Sequence, residues 1–366
     1  MNETPILRPK MPELDSLRGI AILCVLFYHG FFWSNGLTGL SGAAKAFVDL
    51  TRFGWLGINL FFVLSGFLIT GILVESKQRA DYYKRFYIRR ALRILPAFYA
   101  VLLLLALSPS QSGRYLVLSF FYLANLAPLF AIPMTYAMLW SLAVEEHFYF
   151  LWPLVVRRVS RTWLMATAIG VVLLVPALRA LAFRPNLFEG FAYYTWFVAD
   201  GLAIGAILAL AVRAPSFSRA KLARLSGAAI LFSLVLLVGG APWGMLTRQR
   251  ILGATFMLTA TQFLFMGLLG VALLAGTSKW SWTVNRPVLQ FFGVISYGLY
   301  LIHWLVLVWY DSIVKRFWPG AFPASGHVGL ILLRFACAAG VAIAISYLSR
   351  RFFEEPFLRL KDKFGA

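Results

Sequence analysis

The chain has 366 residues, of which 61% are hydrophobic and 13% charged, with a mean hydropathy of +0.78 and a formal net charge of +20. Soluble domains carry about 25% charged residues, so this composition excludes a soluble globular protein and marks an integral membrane protein. Apolar runs recur along the whole length and reach the roughly 20 residues that a helix needs to cross about 30 Å of hydrocarbon. They predict an all-α, polytopic fold in a single membrane-embedded domain covering 1–366, with its core at about 13–356.

The first span, Leu17–Trp33, lies in "LDSLRGIAILCVLFYHGFFW". It lacks a small-residue cleavage site and is expected to stay in the mature protein. Arg18 stands at its start and His29 inside it. Eleven steps of about 100° overshoot three turns by about 20°, so both side chains share one face, about 16 Å apart along the axis. Ionisable groups at membrane depth cost several kcal/mol and usually face the bundle interior, which makes His29 a functional candidate. Its alternative is a hydrogen bond at a helix interface.

The second span is Gly54–Leu73. Before the third, Ala91–Leu107, comes "YYKRFYIRRALRILP", where Arg90 and Arg93 lie three apart on one helix face at the mouth of the span. Guanidinium forks suit phosphates, so a polyphosphate ligand is one reading, and a topology signal or a contact with anionic lipid is the other. The run Tyr115–Ala131 is weaker. The fourth span, Met138–Val156, contains "LWSLAVEEHFYFLWP". There Glu145 shares a face with Ser141 and Tyr149, while Glu146 is flanked by Leu142 and Phe150, which favours Glu145 as the inward carboxylate.

Spans five and six, Trp163–Leu181 and Phe191–Val212, carry Arg179 and Asp200, an expected structural pair. Leu225–Ala241 and Ile251–Ala275 follow. In the ninth, Leu289–Val308, Ser296, Tyr300 and His303 recur at i, i+4 and i+7 beside Tyr297, a polar stripe that also fits ordinary helix contacts. Val328–Leu348 is the tenth.

With ten transmembrane helices and both the N- and C-termini cytoplasmic, the cytoplasmic segments hold 24 of the 34 Lys and Arg residues and the outer ones 8. A crossing by Tyr115–Ala131 would invert everything after it and erase that asymmetry. This run is therefore expected to be a re-entrant or outer-surface element. Orientation also accounts for the positive charge, so no nucleic-acid partner is expected. Cys24 and Cys337 fall inside spans without zinc or redox spacing, and no Walker, GxSxG, HExxH or dinucleotide motif occurs. No metal is expected. A deep histidine with a carboxylate suits proton removal from a hydroxyl, with the transferred group coming from an activated donor. The alternative is a proton-coupled transporter or flippase of a polar or lipid-linked substrate, with His29, Glu145 and Asp200 as the relay; it predicts inverted repeats, and the sequence has no internal repeat.

From "ELDSLRGIAILCVLFYH" through "GINLFFVLSGFLITGIL", "RRALRILPAFYA", "WSLAVEEHFYFLWP" and "ISYGLYLIH" to "RRFFEEPFLRL", nearly the whole chain resembles the acyltransferase-3 family of integral membrane O-acyltransferases. The resemblance implies a multi-pass protein of the bacterial inner (cytoplasmic) membrane. It would take an acyl group, here expected to be acetyl, from acyl-CoA to a hydroxyl of a sugar, glycan or glycosylated small molecule. The family's Arg-X10-His element falls on Arg18 and His29, which implies that His29 is a general base or transient acyl carrier, and its Arg-X-X-Arg element falls on Arg90 and Arg93, the acyl-CoA region. Trp140 to Glu145 match a Trp-Ser-Leu-X-Val-Glu element, which adds Glu145 to the catalytic set. Asn59, where the family often has Asp, completes the expected substrate contacts with Ser141, Tyr149, Ser296, Tyr297, Tyr300 and His303. No esterase-like domain is expected after the tenth span.

Overall fold

Inside hydrocarbon a backbone has no water to bond, and the helix is the element that satisfies every carbonyl and amide within one segment. The computed structural model describes residues 5–33, 40–108, 111–184, 193–319 and 327–363, and among these all the regular elements are helical. Helix α1 spans Pro12–Phe27 and runs into a π turn over Tyr28–Phe32. After α2 (Gly42–Thr51) and a 3-10 turn come α3 (Gly57–Glu75), α4 (Tyr82–Ala106), α5 (Gly113–Phe120), α6 (Leu139–Arg158), α7 (Arg161–Ala182) and α8 (Thr195–Val212). They are followed by α9 (Arg219–Leu234), α10 (Ile251–Ala275), the short α11 (Ser281–Val284), α12 (Pro287–Phe317), α13 (Val328–Leu348) and α14 (Glu355–Lys363).

Each of the ten predicted spans falls on one of these helices, although the first two residues of the sixth span, 191 and 192, lie outside the described residues. The ends differ more. Helix α4 begins at Tyr82 rather than Ala91, because Lys84, Arg85, Arg89 and Arg90 are good helix formers that extend it past the apolar run. The weak run Tyr115–Ala131 becomes α5 and a 3-10 turn over Ala124–Phe130. At about 12 Å, α5 is too short to cross.

Eight helical segments are long and apolar enough to cross a membrane: 12–32, 42–75, 161–182, 195–212, 219–239, 251–275, 287–317 and 328–360. Helices α4 and α6 fall short of that apolarity. Their polar content has specific sources, Arg89, Arg90 and Arg93 on α4 and the Glu145-Glu146-His147 run on α6.

The bundle closes through small residues that let backbones touch. A Cβ on Gly19 would lie 2.0 Å from the Leu289 carbonyl oxygen, and one on Gly293 would lie 1.9 Å from that of Asp15, which packs α1 parallel to α12. Helices α3 and α8 meet parallel in the same way, with Gly66 against Leu202 and Gly205 against Val63, and with Glu75 and Arg213 paired where both helices end. These contacts set which faces of α1, α3 and α12 remain free to meet α4 and α6.

The Arg179 and Asp200 pairing expected from the sequence is present. Arg179 Nη2 donates to both Asp200 oxygens, at 2.7 and 2.6 Å, and Thr259 Oγ1 adds a third bond at 2.6 Å. Neither residue exceeds 1% exposure. Asp200 is thus committed to joining α7, α8 and α10, which removes it from the proton relay that a transporter would need.

Candidate active site

Helices α1, α3, α4, α6 and α12 each turn one stripe of side chains into a common cavity of about 100 Å³. Helical spacing selects the stripes. On α3 they are Ile58, Phe61, Phe62, Ser65 and Leu68; on α6, Ser141, Glu145 and Tyr149; on α12, Ser296, Tyr297 and Tyr300; on α4, Arg90, Arg93 and Ile94; α1 contributes Arg18. Glu146 also lines the cavity, although the sequence favoured only its neighbour.

Glu145 is firmly held. Ser65 Oγ donates to its Oε1 at 2.8 Å and the Tyr149 hydroxyl to its Oε2 at 3.1 Å. The Arg90 guanidinium lies 4.6 Å over the Tyr149 ring, a cation–π contact that fixes its plane. Ser65 escaped the sequence reading because a single serine in an apolar helix carries no signal until its face is known; with Ile58 and Phe62 facing inward, its i+3 and i+7 spacing would have found it.

The arginines differ from Glu145 in having little to bond. Among the described residues, Arg90 and Arg93 make no hydrogen bond to the protein, and Arg18 reaches only Asp15, at 3.0 Å. Arg93 is exposed and Arg90 half-buried. A guanidinium offers five N–H donors in a planar fork, so the cavity has a cationic rim on which the donors of Arg90 and Arg93 lack acceptors among the described residues. By contrast, the hydroxyls of Ser296 and Tyr297 are spent on the carbonyls of Gly293 and Ile94, at 2.8 and 2.9 Å.

The Ser141 and Tyr300 hydroxyls bond each other at 2.6 Å, and one turn further along α12 comes His303. His303 Nε2 is 3.1 Å from His29 Nδ1. The sequence placed His29 on the face of Arg18, about 16 Å further along the helix; the structure shows it in a buried pair with His303, and neither ring is among the residues lining the cavity. His29 lies past the Ser141–Tyr300 bond, as the second residue of the π turn over Tyr28–Phe32. Arg334, bidentate to Asp311 at 2.7 Å on both arms, donates to the Gly30 carbonyl inside that turn at 2.8 Å and steadies it.

Two further placements differ from the sequence reading. Asn59 faces away from the cavity and accepts a bond from Gln262 Nε2 at 3.2 Å. It is one residue, about 100°, off the Ile58–Phe62–Ser65 face. Glu145 makes no hydrogen bond to His29; it lines the cavity, which His29 does not, and its partners there are Ser65 and Tyr149. Of the twelve residues proposed from the sequence, Arg18, Arg90, Arg93, Ser141, Glu145, Tyr149, Ser296, Tyr297 and Tyr300 share the cavity, while His29 and His303 pair beyond Tyr300 and Asn59 lies apart.

A bundle of membrane-length helices around a cationic internal cavity defines the class: a multi-pass membrane protein with an embedded polar site. The acyltransferase-3 family model, described as an acyltransferase domain, matches residues 11–351, and the chain belongs to that family. It is similar to the peptidoglycan O-acetyltransferase OatA of Listeria monocytogenes, 26% identical over 95% of this chain and 56% of that protein. It is also similar to the O-acetyltransferase OatA of Staphylococcus aureus, 27% identical over 94% of this chain and 57% of that protein. The chain thus spans little more than half the length of these relatives. No solved structure matches it.

Proposed function

We propose that this protein is a membrane O-acyltransferase that moves an acetyl group from acetyl-CoA to a hydroxyl of a glycan. The observation that carries the proposal is the set of guanidinium donors on Arg90 and Arg93, lining one cavity with Arg18 and lacking protein acceptors. An acyl-CoA is a phosphate-rich thioester, and arginine forks bind phosphates in bidentate fashion. Family membership supports the acyl chemistry, and the similarity to a peptidoglycan O-acetyltransferase suggests a glycan acceptor such as peptidoglycan. A volume of about 100 Å³ suits a short acyl group.

In this reading α4 and α6 cross with the eight more apolar segments, giving ten crossings with both termini cytoplasmic in the bacterial cytoplasmic membrane. The arginine rim then opens to the cytosol. The Ser141–Tyr300 bond parts to let the thioester pass towards His29. His29 removes the proton of the acceptor hydroxyl, the oxygen attacks the thioester carbonyl, the C–S bond breaks, and the imidazolium returns the proton to the departing thiolate. With an acyl-histidine intermediate, the imidazole nitrogen attacks the thioester carbonyl and the C–S bond breaks to release the thiolate; the acceptor oxygen then attacks the acyl-imidazole, the C–N bond breaks, and the acceptor's proton ends on the thiolate, which leaves as the thiol. Glu145 acts at a distance from this step, by fixing Tyr149 and through it the plane of Arg90.

Purified protein in nanodiscs, given acetyl-CoA and soluble glycan fragments, is expected to esterify the glycan and release one free thiol per ester. Failure to release thiol with any hydroxyl acceptor contradicts the proposal. Arg93→Ala is expected to raise the KM for acetyl-CoA roughly ten- to a hundredfold, the loss of one charge-assisted hydrogen-bonding group worth about 1.5–3 kcal/mol. Arg93→Lys keeps the charge without the fork and is expected to recover part of the loss. Steady-state kinetics at varied donor concentration check both; an unchanged KM in Arg93→Ala removes that arginine from the donor site.

A further inference from the structure

The histidine pair carries information on where its hydrogens lie. His303 is fully buried, and its Nδ1 lies 2.9 Å from the Leu299 carbonyl oxygen and 2.9 Å from that of Tyr300. Carbonyl oxygens only accept, so the nitrogen between them carries the hydrogen. A neutral imidazole has one N–H, and His303 Nε2 is therefore a bare acceptor. Facing it at 3.1 Å is His29 Nδ1, which also lies 3.0 Å from the Val25 carbonyl oxygen. With an acceptor on either side, His29 Nδ1 must in turn bear hydrogen. The remaining nitrogen, His29 Nε2, is left with a lone pair and makes no hydrogen bond among the described residues.

The reverse arrangement fails on the same contacts. A hydrogen on His303 Nε2 in place of Nδ1 would set the bare Nδ1 against two carbonyl oxygens, and it would turn His29 Nδ1 into an acceptor facing the Val25 oxygen. A doubly protonated His303 would meet that second conflict and would also bury an unpaired cation.

We infer that His303 is a positioning residue: its backbone-locked ring selects the His29 tautomer with hydrogen on Nδ1, so that Nε2 is the nitrogen available to take a proton or an acyl group. The catalytic meaning rests on the proposed role of His29; the tautomer does not. His303 therefore acts through His29 rather than touching substrate, which replaces the substrate contact that the sequence assigned to it.

The test uses the full-length protein in nanodiscs with 15N-labelled histidine, the His29 signals being identified by their absence in His29→Gln. Wild type is expected to show a protonated Nδ1 and an unprotonated Nε2 on His29. In His303→Leu the acceptor is gone, and His29 is expected to lose its single tautomer, with kcat falling about tenfold or more and the KM for acetyl-CoA unchanged. His303→Gln, whose amide donates to the two carbonyls while its oxygen accepts from His29, is expected to restore both. Hydrogen on Nε2 in wild type overturns the inference whatever the activity, and it does so even where His303→Leu fails to fold. A single unchanged tautomer in a folded His303→Leu overturns it equally. Persistent transfer by His29→Ala would instead sink the proposed catalytic role and leave the tautomer assignment standing.

Discussion

Replacing His29 by alanine is expected to lower acetyl transfer about a hundred- to ten-thousandfold, the usual contribution of a positioned general base, with donor binding retained. The prediction follows from separation in space. The arginines that would hold the donor line the cavity, whereas His29 lies beyond the Ser141–Tyr300 bond and touches none of them. Truncating it leaves the donor site intact and removes only the group that meets the acceptor. Loss of kcat with an unchanged KM would agree with this. An equal rise in KM would mean that the histidine pair supports the cavity wall instead. Arg248, which stacks over Trp55 at 3.8 Å outside the cavity lining, serves as control, and Arg248→Ala is expected to transfer normally.

The largest effect on stability is expected at Arg179. Its guanidinium donates to the Phe197 carbonyl at 2.6 Å, to the Thr255 carbonyl at 3.1 Å, to Thr259 at 3.0 Å and to both oxygens of Asp200. Arg179→Ala leaves the Asp200 carboxylate at 0% exposure with only the threonine hydroxyl. Breaking one partner of a buried ion pair costs about 3–5 kcal/mol, whereas apolar replacement of both is often neutral. Thermal unfolding in detergent is therefore expected to show a large drop in Tm for Arg179→Ala and recovery in Arg179→Leu/Asp200→Leu. A wild-type Tm for the single variant would mean that the pair contributes nothing to holding α7, α8 and α10 together.

What the amino-acid sequence reveals of this fold depends on how far the physics is local. The positions of the long helices follow from apolar length, and the expectation that Tyr115–Ala131 does not span follows from the Lys and Arg asymmetry that its crossing would erase. The face of α6 was legible because Ser141, Glu145 and Tyr149 repeat at i, i+4 and i+8. The face of α3 was not: Asn59 and Ser65 are isolated polar residues in a helix that is apolar all round, and only packing against α8 and α10 decides which of the two turns inward. The stripe Ser296, Tyr300 and His303 was visible as one unit, yet it serves two places, since Tyr300 closes on Ser141 while His303 reaches past it to His29. Nor does any residue pattern announce the π turn at Tyr28–Phe32. It is held from elsewhere, by Arg334 and Asp311.

Arg90 and Arg93 carry the whole assignment of the donor site, and their occupancy is directly measurable. Calorimetric titration of coenzyme A into the wild-type protein and into the Arg90→Ala/Arg93→Ala variant, both in nanodiscs, separates binding from chemistry. One saturable, salt-sensitive site in wild type, lost in a variant that melts at the wild-type temperature, is the predicted result; equal affinity in the two proteins would contradict the account.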